Sequence, residues 1–469
     1  MTVAESPTAP DLLRGGEPVT VAPGDSLART GAVAMDAPSQ PWWLRAPRRG
    51  DVFDIGNGAA TSEEWRQAGA LDVIARVESD GAAAVAEGTV VRRFADPIAG
   101  EITRPLAAAP AVSVTLDRAV EYARAGVPLQ RALRVHLRSA SERARQVTVR
   151  LELPRGLTAD SVARTVMLGG ADATAAVAFA LRGALPVGRH VVKAVAESEG
   201  QRFATGYTRV DYPHIRPQRL YRPAEVAIEA VDVALPPRAT IAYVPGVGDN
   251  VAPMLAQLGL ATTVLTPEDV ATADLSRFTT IVVGPRAYEA HDALAAANGR
   301  LFAWARAGGT LVVQYGQYEM TRPGAMPYPI TLARPAQRVT LEDAPVTVVD
   351  PAARVLTTPN RIGPADWNGW VQERSTYMPA TFDSAYAPVL ELHDPGEKEN
   401  RGALLVAPLG RGTYVYATLA LFRQLPAGNP GAARLFVNLL AARPAPAAAA
   451  LGRGTAASAA RTADPGPTP

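Results

Sequence analysis

The chain has 469 residues, enough for about three domains, and 48% of its residues are hydrophobic against 20% that are charged. Its formal net charge is only +2, which gives no indication of an obligate nucleic-acid or anionic-membrane partner. The sequence contains no cysteine, so disulfides, thiolate metal sites, iron–sulfur clusters and cysteine nucleophiles are excluded.

The N-terminal part of the chain predicts a short lead-in followed by a β-rich domain. Residues 1–16 carry neither a basic region nor an apolar stretch, so we predict a disordered lead-in without a signal peptide. Short extended runs, separated by turn-like Gly, Pro and Asp clusters, occupy residues 17–107. This pattern predicts a β-rich, sandwich-like domain.

Residues 108–212 predict an immunoglobulin-like β-sandwich. Short segments in which apolar and polar residues alternate follow one another with no long helix between them, a pattern typical of such sandwiches. They are VSVTL (112–116), RALRVHL (131–137), QVTVRLELP (146–154), AAVAFAL (175–181), GRHVVKAVAE (188–197) and RFATGYTRV (202–210).

After a connector at 213–238, the pattern changes to an α/β domain over 239–442. Continuous apolar strands joined by helices predict an open parallel sheet with both faces covered. The strands are TIAYVP (240–245), ATTVLT (261–266), TTIVVG (279–284) and TLVVQY (310–315), then 403–407 and 412–417, with long helices at 285–307 and 430–442.

Residues 443–469 are rich in Ala, Pro, Gly and Thr, and this composition predicts a disordered tail. We find no uncharged apolar stretch of about 18 residues, so the sequence predicts no membrane span.

The carboxyl edge of the predicted sheet is where ligands of open α/β sheets usually bind. Strand-to-helix junctions fall there at 246–250, 284–288 and 314–318. Arg286 lies near a helix start, where a cation is poorly placed for the helix dipole. We therefore expect it to bind a carboxylate, with Glu373 as a candidate, or an anionic ligand. Gln314, which follows the next strand, is a second candidate ligand-binding residue.

The junction GVGDNV (246–251) resembles the beginning of a dinucleotide-binding fingerprint. Val251 stands at the third glycine position, however, and Thr266-Pro267 stands where an acidic residue would end the next strand. The pattern favours a tight turn with Asp249 or Asn250 as the N-cap. A ligand at the helix N-terminus is the alternative.

The segment 366–386 combines aromatic and charged residues more densely than any other part of the chain. Aromatic faces beside planar hydrogen-bonding groups suit sugar recognition, so we take Trp370, Glu373 and Arg374 as candidate ligand-binding residues. The alternative is a long loop pinned by its own aromatic side chains. In an extended segment Glu373 and Arg374 would point to opposite sides.

The usual enzymatic motifs are absent from the sequence. We find no nucleophile elbow, P-loop, paired-histidine zinc motif or calcium-binding loop, and the five histidines are scattered. The residues therefore predict no catalytic residue, no metal ligand and no cofactor.

Several spaced motifs, in register, carry a family resemblance. They are YPHIRP (212–217), GVGDNV (246–251), VGPRAYEA (283–290), VVQY (312–315), PYP (327–329), RVTLEDAPV (338–346), GWVQER (369–374) and FRQLPAGNPGAARLFVNLL (422–440). With them, the chain resembles the C-terminal region of large bacterial PIG-L (LmbE-like) deacetylases. The resemblance implies β-sandwich modules followed by a flavodoxin-like domain related to class I glutamine amidotransferases, and it would allow a periplasmic or secreted location.

The zinc-dependent deacetylase domain that opens those proteins has no counterpart here. The only Pro-His pair, Pro213-His214, is in the wrong order and lacks the paired aspartates of the family motif. The catalytic and zinc-binding residues therefore carry over to no position, although the resemblance is to a hydrolase. The amidotransferase nucleophile is likewise impossible without cysteine.

The leading hypothesis is a non-catalytic accessory protein of a PIG-L-type deacetylase system. It would bind a glycan or an N-acetyl sugar, or dock a separately encoded deacetylase subunit. One alternative is an independent hydrolase at the carboxyl edge of the sheet, with Glu373 or Asp366 as the general acid/base and Arg286 as the clamp. A structural spacer is the other alternative.

Overall fold

A computed structural model describes residues 19–26, 38–44, 46, 52–53, 72–79, 82–212, 214–215 and 217–442. The predicted lead-in at 1–16 and tail at 443–469 lie outside the described residues. Strands account for 41% and helices for 17% of the described residues, so β-sheet dominates. The chain divides into two compact units: the first comprises the described residues up to 119 with 128–184 and 190–227, and the second comprises 120–127, 185–189 and 228–442.

Strands occupy most of the described chain up to residue 231. In chain order they are β1 (Asp72–Ser79), β2 (Ala82–Thr89), β3 (Val91–Asp96), β4 (Gly100–Pro105), β5 (Val112–Leu116), β6 (Val120–Arg124), β7 (Leu129–Ser139), β8 (Arg145–Glu152), β9 (Leu157–Ala159), β10 (Ala163–Leu168), β11 (Thr174–Gly183), β12 (Gly188–Ser198), β13 (Gln201–Phe203), β14 (Thr205–Val210), β15 (Gln218–Pro223) and β16 (Glu225–Val231). A short 3₁₀ helix spans Trp42–Leu44.

The first unit contains a β-sandwich. One sheet has the order β5-β7-β11-β9, and in the other β10, β8 and β12 are neighbours. Every second residue of a strand faces the same side, so the alternating segments supply one apolar face each. Val114 and Leu137 from the first sheet meet Val147 and Val149 from the second in a buried core. Antiparallel hairpins β1–β2 and β3–β4 precede the sandwich.

The second unit contains the remaining regular elements. Its further strands are β17 (Thr240–Val244), β18 (Ala261–Val264), β19 (Thr280–Val283), β20 (Thr310–Gln314), β21 (Ile330–Thr331), β22 (Gln337–Val339), β23 (Val346–Val348), β24 (Ser375–Met378), β25 (Thr381–Phe382), β26 (Ala387–Pro388), β27 (Leu390–Leu392), β28 (Leu404–Leu409) and β29 (Gly412–Ala417). Its α-helices are α1 (Val251–Gln257), α2 (Asp269–Thr272), α3 (Ala287–Ala290), α4 (Asp292–Arg306), α5 (Arg354–Thr357), α6 (Leu421–Ala427) and α7 (Pro430–Leu440), and 3₁₀ helices span Leu275–Arg277, Tyr318–Thr321 and Pro364–Trp367.

A seven-stranded sheet with the order β18-β17-β19-β20-β29-β28-β26 forms the centre of this unit. The first five of these strands run parallel, and β28 and β26 are antiparallel. Residues of α1, α6 and α7 pack with Ile241, Val282 and Val312 on one face, and residues of α2 and α4 pack with Leu311 and Val313 on the other. Burial on both faces explains why β17, β19 and β20 are almost continuously apolar.

Two local predictions differ from the structure. The single helix predicted over 285–307 is divided into α3 and α4, because His291 between them is extended (φ −136°, ψ 98°). This break leaves Tyr288 able to donate a 2.8 Å hydrogen bond to the Asn298 Oδ1 atom. The segment 366–386 is also not wholly irregular, because β24 pairs with β22 and β25 with β21.

Among the described helices, none combines the length and the apolar character that a membrane crossing requires.

Candidate functional site

The turn after β17 is held together by hydrogen bonds within the protein. The Asp249 carboxylate accepts hydrogen bonds from Tyr243 Oη (2.7 Å), Gly246 N (3.1 Å) and Val251 N (3.0 Å). A Cβ atom at Gly246 would lie 2.0 Å from the carbonyl oxygen of Pro285, and one at Gly284 would lie 2.2 Å from Asp249 Oδ2. The two glycines therefore let adjacent junctions touch, and Asp249 acts as the structural acceptor of the turn.

Gln314, the last residue of β20, is buried and does not reach the protein surface. Its side chain is 2% exposed, and its Nε2 donates to Tyr243 Oη at 3.0 Å. Burial, with the nearby Asp249, raises the pKa of Tyr243 well above its ordinary value, so the hydroxyl stays neutral. The Gln314 Oε1 atom is buried and has no hydrogen-bond partner in the described chain.

Arg286 lies at the edge, in the left-handed backbone region (φ 56°). Its guanidinium donates from Nε to Glu289 Oε2 at 2.6 Å and from Nη2 to Oε1 at 2.7 Å. This bidentate bond holds the pKa of Glu289 below its ordinary value. The expected pair with Glu373 is wrong, because Glu373 accepts instead from Arg423 Nε at 2.8 Å. A carboxylate three residues along the chain reaches Arg286 without any tertiary contact.

Four aromatic rings form a continuous aromatic row at the same edge. The ring centroid of Tyr315 lies 5.1 Å from that of Phe422 and 6.2 Å from that of Tyr377, which lies 5.8 Å from that of Tyr318. Tyr315 is buried, and the other three rings are half-buried. The main chain joins the row to Arg286, whose N–H donates to the Tyr315 carbonyl oxygen at 2.8 Å. Burial raises the pKa of Tyr315.

A guanidinium group covers each end of the aromatic row. The Arg423 guanidinium carbon lies 5.0 Å from the Phe422 ring centroid, and that of Arg334 lies 3.9 Å from the Tyr318 ring centroid. Such contacts are favourable because the face of the ring is electron-rich. Arg423 also donates to the Gln372 side chain. The row is therefore an aromatic strip bordered by planar hydrogen-bonding groups.

Trp370 and Arg374 belong to the interior. Trp370 is 2% and Arg374 5% exposed, and the ring of Trp370 lies 5.5 Å from that of Trp367. Arg374 donates from Nε to the Ala344 carbonyl oxygen (3.1 Å) and from Nη1 to that of Trp367 (2.6 Å). Burial lowers the pKa of Arg374. These contacts pin the segment from within.

Both carboxylates of the hydrolase alternative are held by arginines. Asp366 Oδ1 accepts from Arg434 Nε at 2.9 Å, and its Oδ2 accepts from Gly363 N at 2.8 Å. Glu373 is bound by Arg423, as described above. Each carboxylate thus has a structural partner. Across the described ranges, no cluster of three or more His, Asp and Glu side chains could hold a metal ion.

Of the five predicted site residues, Arg286 and Glu373 therefore border the aromatic row, whereas Gln314, Trp370 and Arg374 are buried with internal contacts. The sequence analysis took Tyr377 only as part of the aromatic segment 366–386, and it did not single out Tyr315, Tyr318, Phe422 or Arg334. Their signal was present but divided among three segments, since Tyr315 and Tyr318 follow β20, Tyr377 lies in β24 and Phe422 follows β29. The neighbouring positions of β20 and β29 in the sheet bring two of these segments together, and the bridge between Ser375 and Leu419 adds the third.

No family model matches this chain, and no curated protein matches it. It is similar to parts of solved structures. These include α2-macroglobulin from Escherichia coli (14% identity, 26% of this chain and 17% of that chain, TM-score 0.19) and a β-galactosidase from Rahnella sp. R3 (15% identity, 45% and 32%, TM-score 0.26). A third is a FixG-related protein from Vibrio parahaemolyticus (7% identity, 25% and 94%, TM-score 0.17).

The matched regions span less than a third of the first two of these proteins. With such low identities and TM-scores, the likenesses support no conclusion about function, and the deacetylase resemblance stays a prediction.

Proposed function

We propose that the chain is a non-catalytic, glycan-binding accessory component of a PIG-L-type N-acetyl-sugar deacetylase system, and that the aromatic row is its binding surface. The observation that carries this proposal is the row itself. Tyr318, Tyr377 and Phe422 each keep part of the side chain exposed, and planar polar groups border them. Sugars present C–H faces that pack on such rings and hydroxyl groups that bond to such borders.

The strand order of the second unit supports a flavodoxin-like, amidotransferase-like arrangement. Numbered along the chain, the parallel strands β18-β17-β19-β20-β29 follow the order 2-1-3-4-5, which is the flavodoxin-like order. Ligands of such sheets bind outside the carboxyl ends of the strands. The close approach of Gly246 to Pro285 fills the switch point, so the row beside β20 and β29 is the favoured part of this edge.

Backbone strain at the border supports the same surface. Arg286, Gln372 and Tyr377 are non-glycine residues with φ values of 56°, 67° and 52°. Each such residue costs on the order of 1–3 kcal/mol and persists only where its surroundings fix it, often at ligand-binding sites. Binding is favoured over hydrolysis because Asp366 and Glu373 are already bound by arginines.

The test is calorimetric titration of the full chain with an oligosaccharide of N-acetylglucosamine. We expect the substitution Tyr318→Ala to weaken binding about tenfold, the equivalent of about 1.4 kcal/mol of lost ring contact. The matched control is Tyr207→Ala in the first unit, where a half-buried tyrosine ring lies 5.4 Å from that of Tyr221. It should bind as the wild type does. Failure of the wild-type chain to bind, or an unchanged affinity in Tyr318→Ala, would refute the proposal.

A further inference from the structure

The two ends of the aromatic row use their guanidinium groups differently. At the Phe422 end, Arg423 donates from Nε to the Glu373 carboxylate at 2.8 Å. At the Tyr318 end, Arg334 is exposed, and its guanidinium carbon lies 3.9 Å from the ring centroid. No carboxylate of the described chain pairs with Arg334.

Two carboxylates near the aromatic row, those of Glu289 and Glu319, are already bonded. Arg286 is neutralised by Glu289 through two hydrogen bonds. Glu319, the remaining carboxylate of this junction, is 7% exposed and accepts from Gln317 N at 2.8 Å. Of the three guanidinium groups along the row, only that of Arg334 therefore has its positive charge unmatched by a bonded side chain.

A stacked guanidinium is suited to binding an anion at its edge. Its N–H donors lie in the plane of the group, so the face contact with Tyr318 leaves them free, and the ring restricts the orientation of the group. Two parallel N–H groups match the two oxygens of a carboxylate. The same pair of N–H groups also fits two oxygens of a phosphate, so the geometry indicates an oxyanion, and the proposed glycan ligand supplies one as the carboxylate of a sugar acid.

We infer that Arg334 binds the carboxylate of a uronic acid residue, and that the next sugar of the same glycan packs on the aromatic row. This inference rests on the proposed function and specifies its ligand as an acidic glycan. Carboxylate recognition and ring stacking are then separate contributions, because different atoms of the ligand make them.

The experiment uses the full chain and two matched ligands. One is a tetrasaccharide of alternating glucuronic acid and N-acetylglucosamine, and the other is the same molecule after reduction of its carboxyl groups. We expect calorimetric titration at low salt to show about tenfold tighter binding of the acidic form. The substitution Arg334→Gln should remove this difference and leave the affinity for the reduced form unchanged.

The control substitution is Arg277→Gln. Arg277 is also exposed and lies 4.7 Å over the ring of Phe278, but it precedes β19 at the opposite end of the strand. It should leave both affinities unchanged. Equal binding of the two ligands by the wild type, or a preference retained in Arg334→Gln, overturns the inference while the proposed function stands. If neither ligand binds and the N-acetylglucosamine oligosaccharide does not bind either, both fail.

Discussion

Of the arginines that lie over aromatic rings in the second unit, two have opposite surroundings. Arg374 lies 5.5 Å from the centroid of the Trp370 ring, is buried, and donates to two main-chain carbonyl oxygens. Arg334 lies 3.9 Å from the centroid of Tyr318 and is exposed. A guanidinium over an aromatic ring therefore forms a buried structural contact at Trp370, which we call the buried clamp, and part of an exposed surface at Tyr318.

The difference shows that the partners of the N–H groups decide the role of such a pair. A buried guanidinium must find its hydrogen-bond acceptors within the protein, since unpaired polar groups are costly there. An exposed one exchanges its bound water for a ligand at little cost. Aromatic and charged composition alone does not distinguish these two cases.

The largest expected effect is on the buried clamp. The substitution Arg374→Ala removes the donors of the Ala344 and Trp367 carbonyl groups and leaves a cavity beside Trp370, so it should lower the free energy of unfolding by about 3–5 kcal/mol. Urea denaturation followed by tryptophan fluorescence measures it. The exposed control Arg277→Ala should change stability by less than about 0.5 kcal/mol. Similar losses in both variants would contradict the assigned roles.

Asp366 supports the clamp from outside, because its carbonyl oxygen accepts from Trp370 Nε1 at 3.1 Å. The substitution Asp366→Ala removes the acceptor of Gly363 N and the carboxylate bound to Arg434, and it should cost about 2–3 kcal/mol. Asp366→Asn keeps a side-chain oxygen for Gly363 N, so it should cost less. Chemical denaturation distinguishes the two variants. Equal stability of both would mean that the hydrogen bond from Gly363 N to the Asp366 side chain contributes nothing.

The side chains of Tyr318 and Arg334 should contribute to stability almost independently of each other. A double-mutant cycle with Tyr318→Ala and Arg334→Ala should give an interaction energy of about 0.5–1 kcal/mol, as for cation–π contacts at exposed sites. The cycle is measured from thermal or urea unfolding of the four proteins. A coupling of several kcal/mol would show that Arg334 is a clamp like Arg374.

The smallest expected effect concerns the bond between Arg286 and Glu289 at the edge of the sheet. Glu289→Gln should cost at most about 0.5 kcal/mol, because its side chain is 38% exposed and solvent screens the bond. The pKa of Glu289 is lowered in the folded state, so its contribution is present above the unfolded pKa of about 4.3 and disappears as the pH falls through the folded value. Stability of wild type and variant should converge in acid. A persistent difference there would mean that other contacts are lost.

The sequence predicted β17, β19 and β20 of the central sheet well because these strands are apolar on both faces. TIAYVP and TLVVQY, for example, form β17 and β20, whose bounds differ from the predicted ones by one residue. The candidate site was predicted less completely. Arg286 and Glu373 do border the aromatic row, but they bind Glu289 and Arg423 and not each other.

By itself, the sequence determined where apolar strands and helices form, since burial and periodicity are local properties of the chain. It also determined that cysteine chemistry is impossible. Only the tertiary structure decided which aromatic residues are open. Trp370 and Tyr377 are seven positions apart in one segment, yet one is buried and the other borders Tyr315 and Tyr318. Exposure depends on what the rest of the chain packs over a residue, and a local pattern does not contain that information.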